Sequence, residues 1–224
     1  MFFIGIEFAF AGAKIIKLSG DVKVRRGVEE NWQPASVAML LEDIDTIMAG
    51  IDGHVILQTA EGITFELGNN SILDVSDLRK ITEKELFLFL MSKKVQNIEP
   101  REGKTKLRIG NVSVVHGESK AETEKISDNK LKTKLMVQEK NGARALYEQE
   151  LYPNTIIKFH KILDKYDEAQ KNGDVYLYLG RSFEAMNHPG QAIDAYQSAI
   201  DHYQTEDRHK ADAQQAIDRL KSKK

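Results

Sequence analysis

Two pairs of charged residues are the strongest candidates for chemistry in this sequence. Asp43 and Asp45 flank Ile44, and in an extended strand side chains two positions apart point to the same side. Two such carboxylates could act as an acid–base pair or hold a cation. Arg144 and Arg181 occupy equivalent positions of a pattern that repeats after 37 residues. Two guanidinium groups in register could hold a carboxylate or an acidic peptide, because arginine donates two parallel hydrogen bonds.

Each pair also has a simpler interpretation. Aspartate is common in turns, so Asp43 and Asp45 could be solvent-exposed residues at the start of a strand, and this interpretation is favoured. The two arginines could instead form surface ion pairs with Glu148, Glu184 or Glu168, which contribute little to stability. For the arginines both interpretations stay open.

The carboxyl-terminal part of the sequence contains a helical repeat. Four apolar or aromatic residues, spaced 3, 4 and 3 apart as on one helix face, return after 37 positions. They are Ile156, Phe159, Leu163 and Tyr166, followed by Ile193, Tyr196, Ile200 and Tyr203. The repeat predicts two helix pairs and a capping helix, over about 130–149, 153–169, 173–187, 190–204 and 207–222. Stacked helical units commonly bind other proteins.

The second helix pair resembles the tetratricopeptide repeat (TPR). Its motif reads Tyr176-x-x-Leu179-Gly180-x-x-Phe183 and then Ala192-x-x-x-Tyr196-x-x-Ala199. Small residues such as Gly180 and Ala192 would let two helices cross closely, and the large residues would fill the space between them. The resemblance covers about residues 130–222, although Gly142 replaces a large apolar residue in the first pair.

The TPR resemblance implies a binding groove, because the first helices of such pairs line a concave surface. Six residues fall on the corresponding helix faces by their spacing. These predicted partner-binding residues are Arg144, Arg181, Lys140, Tyr147, Leu177 and Glu184. A protein partner that contributes a short peptide is the expected ligand.

Residues 14 to about 117 have the pattern of an all-β domain. Val22 and Val24 alternate with charged residues, and turn signals recur every 8 to 12 residues, which predicts an antiparallel sandwich or jelly roll. The run Leu86–Leu90 does not alternate and is predicted to be a strand buried on both faces. A charged stretch follows the β pattern and predicts a linker over 119–130.

The same part of the chain resembles the FecR domain. The matching segments are Gly20-Asp-Val-Lys-Val-Arg25, Leu41-Glu-Asp-Ile-Asp-Thr46, Gly53-His-Val-Ile-Leu57 and Val115-His-Gly-Glu118. The resemblance covers roughly residues 14–118 and implies an extracytoplasmic β module that binds an envelope glycan or protein. In the namesake proteins the domain relays a signal through a transmembrane helix and a cytoplasmic segment. Neither is recognisable in this sequence, so only the module is expected.

The amino terminus and the composition narrow the function further. Residues 1–13 form a short apolar run ending in small residues, which predicts a signal peptide and a periplasmic or secreted protein. Against this, Glu7 lies inside the run and no basic residue precedes it, so the alternative is an amino-terminal strand of a cytoplasmic protein. A net charge of −2 does not favour nucleic acid as a partner.

The sequence contains no recognised catalytic or metal-binding motif. It has no cysteine, its six histidines lack metal-ligand spacing, and phosphate-binding and dinucleotide-binding glycine motifs are missing. No segment has the length and hydropathy of a membrane span. Neither a cofactor nor a metal ion is therefore expected.

Together these patterns predict an α+β chain of two domains. The predicted order is a signal peptide (1–13), a FecR-like β domain (14–118), a charged linker (119–130) and TPR-like helices (131–222). The expected function is that of a non-enzymatic scaffold in the bacterial envelope. A component of an envelope signalling system is the first alternative, and a hydrolase using Asp43 and Asp45 is the less favoured second.

Overall fold

A computed structural model describes residues 12–29, 31–96, 121–202 and 207–222. Within these ranges a β region precedes a helical region, so the predicted α+β class is confirmed. The strands are β1 (Ala13–Ser19), β2 (Val22–Arg25), β3 (Trp32–Pro34), β4 (Leu40–Leu41), β5 (Thr46–Ala49), β6 (His54–Thr59), β7 (Thr64–Leu67) and β8 (Ser71–Asp74). The helices are α1 (Glu83–Gln96), α2 (Ala121–Glu148), α3 (Tyr152–Lys165), α4 (Gly173–Ala185), α5 (Pro189–Asp201) and α6 (Asp207–Ser222).

The eight strands form two antiparallel sheets. Their strand orders are β4-β1-β6-β7 and β3-β2-β5-β8. The predicted alternation is confirmed, since Val22, Val24, Val55 and Leu57 are buried between neighbours that are more exposed. Both sheets contribute side chains to one apolar core, so they pack as a sandwich.

The strand predicted over Leu86–Leu90 is wrong, because these residues lie in helix α1. A capping box starts this helix: Thr82 Oγ1 accepts a hydrogen bond from the Glu85 amide at 3.2 Å, and the Thr82 amide donates to Glu85 Oε2 at 2.9 Å. The Thr82 amide, the Arg79 guanidinium and the Thr82 hydroxyl lower the pKa of Glu85 to about 2. Residues 97–118, which contain the last predicted turns, lie outside the described residues.

The boundary between the two regions also differs from the prediction. Residues 121–130, predicted as a linker, belong to helix α2. Alanine, glutamate and lysine, which make up half of this stretch, favour helix, and this propensity prevails over the polar composition. The carboxyl-terminal end of α2 completes the sandwich core, where Ala145 and Leu146 pack with the strand residues. Helix α2 is therefore shared by both regions.

Gly142 lies where α2 crosses strand β8. A Cβ at this position would overlap with the backbone carbonyl oxygen of Ile72. The sheet thus occupies the space that a large side chain at position 142 would need. This contact explains why the first helix pair departs from the repeated pattern at Gly142.

The helices follow the predicted 37-residue period. Helix α5 begins at Pro189, 37 positions after α3 begins at Tyr152, and α4 ends at Ala185, 37 positions after α2 ends at Glu148. Gly180 brings α4 close to α5, since a Cβ there would lie 2.6 Å from the ring of Tyr196. The close crossing expected from the small residue is therefore present.

A buried charge cluster lies between the sandwich and the helices. Lys158 of α3, with a side chain only 2% exposed, contacts Asp74 and Asp77 at 2.8 Å each and Glu139 at 4.0 Å. Burial alone would lower the pKa of Lys158, but the carboxylates of Asp77, Asp74 and Glu139 raise it overall. Lys158 therefore stays charged and joins α3 to the sheet and to α2.

Candidate partner-binding groove

A groove with a volume of about 400 Å³ lies between α4 and α6 and is bordered by the end of α2. Four of the six predicted partner-binding residues line it, and these are Tyr147, Leu177, Arg181 and Glu184. Leu177, Arg181 and Glu184 have the spacing of one helix face, which explains why α4 presents them together. The size of the groove suits a few side chains of a peptide.

Helix α6 supplies residues that the sequence reasoning missed. Asp212, Gln215 and Arg219 line the opposite wall of the groove. The sequence predicted only that α6 caps the repeat, and its apolar residues Ala213, Ala216, Ile217 and Leu220 are buried, as a capping role requires. The 3- and 4-residue spacing of Asp212, Gln215 and Arg219 was the available signal for a second, polar face.

Two ion pairs cross the groove from α4 to α6. Arg181 contacts Asp212 at 3.2 Å, and Glu184 contacts Arg219 at 2.6 Å. The hydroxyl group of Tyr196 donates a hydrogen bond to Glu184 at 2.8 Å, and burial raises the pKa of Tyr196. The groove therefore presents paired charges of both signs above a floor that includes Leu177 and Ala216.

Arg144 and Lys140 lie outside this groove. Arg144 lines a separate depression of about 250 Å³ next to the turn between β7 and β8, and it contacts Glu148 at 3.7 Å. Its guanidinium carbon is nevertheless 5.3 Å from the ring centre of Tyr178, and that of Arg181 is 5.4 Å from the same ring. The two arginines are thus linked through one tyrosine rather than by a shared cavity.

Lys140 joins helices instead of facing the groove. Its ammonium group contacts Asp174 of α4 at 3.1 Å, and the other oxygen of Asp174 contacts His209 of α6 at 2.7 Å. Burial raises the pKa of Asp174, but Lys140 and His209 lower it overall. This cluster connects α2, α4 and α6 at one end of the helical region.

The seven residues predicted to pack the second helix pair lie between its helices or against them. Leu179, Gly180, Phe183, Ala192, Tyr196 and Ala199 are buried. Tyr176 is half-buried and stacks on His202, with ring centres 4.6 Å apart. The apolar face of the repeat therefore forms the interior of the helical region.

The two aspartates of the alternative hydrolase site do not form a pair. Asp45 is buried and accepts hydrogen bonds from Arg26 at 2.6 Å and from the amides of Gly27 and Glu42 at 2.9 Å each. Asp43 lines a small cavity of about 80 Å³ that Asp45 does not reach. Asp45 is therefore neither exposed, as one interpretation held, nor available as a base, because its carboxylate holds the turn before β5.

Acid should weaken this turn. Burial raises the pKa of Asp45, but the Glu42 and Gly27 amides and Arg26 lower it overall below the ordinary value of 3.8. A carboxyl group with a lowered pKa stabilises the fold above its unfolded-state pKa, and this contribution is lost as pH falls through the folded-state value. We expect the contribution of Asp45, taken as the difference in the free energy of urea unfolding between the unmodified protein and Asp45→Asn, to be constant from pH 7 to about 5 and to decline below about pH 4.

Asp45→Asn tests the origin of this acid sensitivity. The variant should lose about 2 kcal/mol at pH 7, because an amide group would face buried donors, and it should show a shallower decline in acid. Asp43→Asn is the matched control, since Asp43 is half-exposed. An identical acid decline in Asp45→Asn and the unmodified protein would contradict the assignment.

In the described ranges no group of three or more histidine and acidic residues is placed to hold a metal ion. Of the helices in that part of the chain, none has both the length and the hydropathy to cross a bilayer. Comparison with known proteins gives no family model, no curated protein and no solved structure that matches this chain.

Proposed function

We propose that this protein is a non-enzymatic binding or scaffold protein of the bacterial envelope. In this proposal the groove between α4 and α6 docks a protein partner, and the β sandwich binds a second envelope ligand, a protein or a glycan. The groove carries the proposal, because four residues selected from the TPR resemblance and from helical spacing line one concave surface.

The ion pairs across the groove support exchange with a ligand. Arg181 is 32% exposed and Asp212 is 52% exposed, and pairs with this exposure contribute about 0–1 kcal/mol. A carboxylate of a partner could replace Asp212 on Arg181 at little cost. The partly exposed side chain of Tyr147, which also lines the groove, would then contact the apolar part of the same peptide.

We further propose that the helices are TPR-like and that the sandwich is a FecR-like module. The 37-residue spacing of the helix ends and the glycine at the α4–α5 crossing support the first assignment. Two antiparallel sheets joined by short turns support the second. An extracytoplasmic location is part of the same proposal and rests on the apolar run of residues 1–13.

A signalling role is the second candidate, because the two regions are joined by buried charges. Lys158 links the sandwich to two helices, so a ligand bound to one region could affect the other. A hydrolase based on Asp43 and Asp45 is not retained, because the carboxylate of Asp45 is fully engaged by its hydrogen bonds.

Alanine substitution of Arg181 tests the groove. The variant Arg181→Ala should bind the native partner at least about tenfold more weakly than the unmodified chain, as expected for an arginine central to an interface. The matched control is Arg79→Ala, which removes an exposed arginine that pairs with Glu85 away from the groove. Full retention of the partner by Arg181→Ala would overturn the proposal.

A further inference from the structure

One transverse row of residues crosses the whole sheet β3-β2-β5-β8. Trp32 on β3 is opposite Arg25 on β2, Arg25 is opposite Thr46 on β5, and Thr46 is opposite Asp74 on β8. Directly opposed residues of antiparallel strands have side chains on the same face. The row therefore places four side chains in line from one edge of the sheet to the other.

Each member of the row contacts the next. The Arg25 guanidinium carbon lies 5.5 Å from the ring centre of Trp32, and Arg25 Nη2 donates a hydrogen bond to Thr46 Oγ1 at 3.0 Å. Thr46 Oγ1 donates to Asp74 Oδ1 at 2.9 Å, and Lys158 Nζ donates to Asp74 Oδ2 at 2.8 Å. A continuous chain of polar contacts thus runs from the edge strand to helix α3.

The chain continues into the helical region. Lys158 also contacts Asp77 and, at 4.0 Å, Glu139 of α2. Glu139 in turn accepts hydrogen bonds from Lys165 at 2.6 Å and from the Tyr166 hydroxyl at 2.9 Å. A displacement of Lys158 would therefore alter contacts of both α2 and α3.

Trp32 and Arg25, at the outer end of the row, can accept new contacts. Trp32 is half-buried on an edge strand, so one side of it is accessible. Arg25 Nε is buried and has no hydrogen-bond partner among the described residues, so Arg25 has an unused donor. An unpaired buried donor costs free energy, which makes Arg25 the member of the row with most to gain from a new partner.

We propose that this row is a conformational relay that couples the sheet edge at Trp32 to the charge cluster around Lys158. Ligand contact at the edge would move Arg25, and the hydroxyl group of Thr46 would pass the change to Asp74 and Lys158. The relay is a property of the fold beyond the docking groove. The relay does not depend on which partner binds the groove or which ligand binds the sandwich.

The single tryptophan makes the relay measurable in the full-length chain. Trp32 is the only tryptophan, so intrinsic fluorescence reports the outer end of the row. Lys158→Met should shift the emission maximum of the folded protein, because the guanidinium group moves relative to the indole ring. Three strand spacings, about 14 Å, separate Trp32 from Asp74, so Asp74 and Lys158 do not act on the indole ring by direct contact.

A double variant separates transmission from a general effect of the lost charge. Thr46→Val removes the hydroxyl that joins Arg25 to Asp74, and it should shift the emission by itself. Adding Lys158→Met to Thr46→Val should then cause no further shift, because the link is already broken. Should Lys158→Met fail to fold, Asp74→Asn takes its place with the same expectation.

The control is Lys140→Met on helix α2. Lys140 is a half-buried lysine that pairs with Asp174 away from the row and from the charge cluster, so its replacement should leave the emission unchanged. Additive shifts in the double variant would overturn the relay. An unchanged emission maximum in folded Lys158→Met, or an equal shift in Lys140→Met, would overturn it as well.

Discussion

Replacing Lys158 with methionine should lower the free energy of unfolding by about 3 kcal/mol. Methionine keeps the approximate length of the side chain but removes the charge that faces three carboxylates. Asp77, which is only 3% exposed, would keep the ion pair with Lys161 as its one ion pair among the described residues. A buried carboxylate that loses its main counterion is costly, because solvent cannot replace the lost interaction.

Urea unfolding followed by circular dichroism measures this effect. Lys165→Met is the control for burial: its ammonium group contacts Glu139 at 2.6 Å but is 58% exposed, so its loss should cost less than about 1 kcal/mol. Equal losses for the two variants would show that burial does not distinguish Lys158 and would contradict its role in the interface.

Gly142→Ala should destabilise the protein by about 2 kcal/mol, although alanine is the better helix former by about 1 kcal/mol. The new methyl group would overlap with the backbone carbonyl oxygen of Ile72 on strand β8. Backbone atoms of a paired strand cannot move aside as a flexible side chain can. Helix α2 would have to shift away from the sandwich, which would loosen the packing of Leu146.

Gly190→Ala provides a control within a helix. Gly190 lies in the first turn of α5, and a Cβ there would meet no atom within 4 Å. This variant should be neutral or slightly more stable in the same urea titration. A stabilising effect of Gly142→Ala would show that α2 does not approach β8 closely.

Local sequence patterns were sufficient to predict most of the strands and the repeated helices. The alternation around Val22 and Val24 identified strands because each buried residue has a more exposed neighbour. The 37-residue period located the starts of α3, α4, α5 and α6 to within one residue, because equivalent residues pack in equivalent ways. It did not locate the start of α2 at Ala121 or the end of α3 at Lys165. Four groove residues followed from the TPR resemblance together with helical spacing.

Helix α1 shows why an apolar run alone does not distinguish a buried strand from a helix. Leu86–Leu90 lacks alternation, which fits both a buried strand and a largely apolar helix. The capping box formed by Thr82 and Glu85 was the deciding signal, and it lies just before the run. The charged start of α2 was misassigned for a related reason, since polar residues can form a helix as well as a linker.

Contacts between the two regions could not be predicted from local patterns. Gly142 was recognised as an exception to the repeat, but only the structure brings Ile72 next to it. The position of Lys158 in the repeat could have indicated that this lysine is buried. It occupies the position equivalent to buried Ala195 in the next repeat, so a charge there indicated a buried partner.

The most direct test of the docking groove is site-specific photo-crosslinking of the full-length protein in its native cells. A photoreactive phenylalanine at Gln215, inside the groove, should capture a protein partner, and Arg181→Ala should weaken the capture. The same group at Gln214, which is exposed but is not among the residues lining the groove, should not capture that partner. Equal capture from both positions, or capture at Gln215 that Arg181→Ala leaves unchanged, would contradict the proposed function.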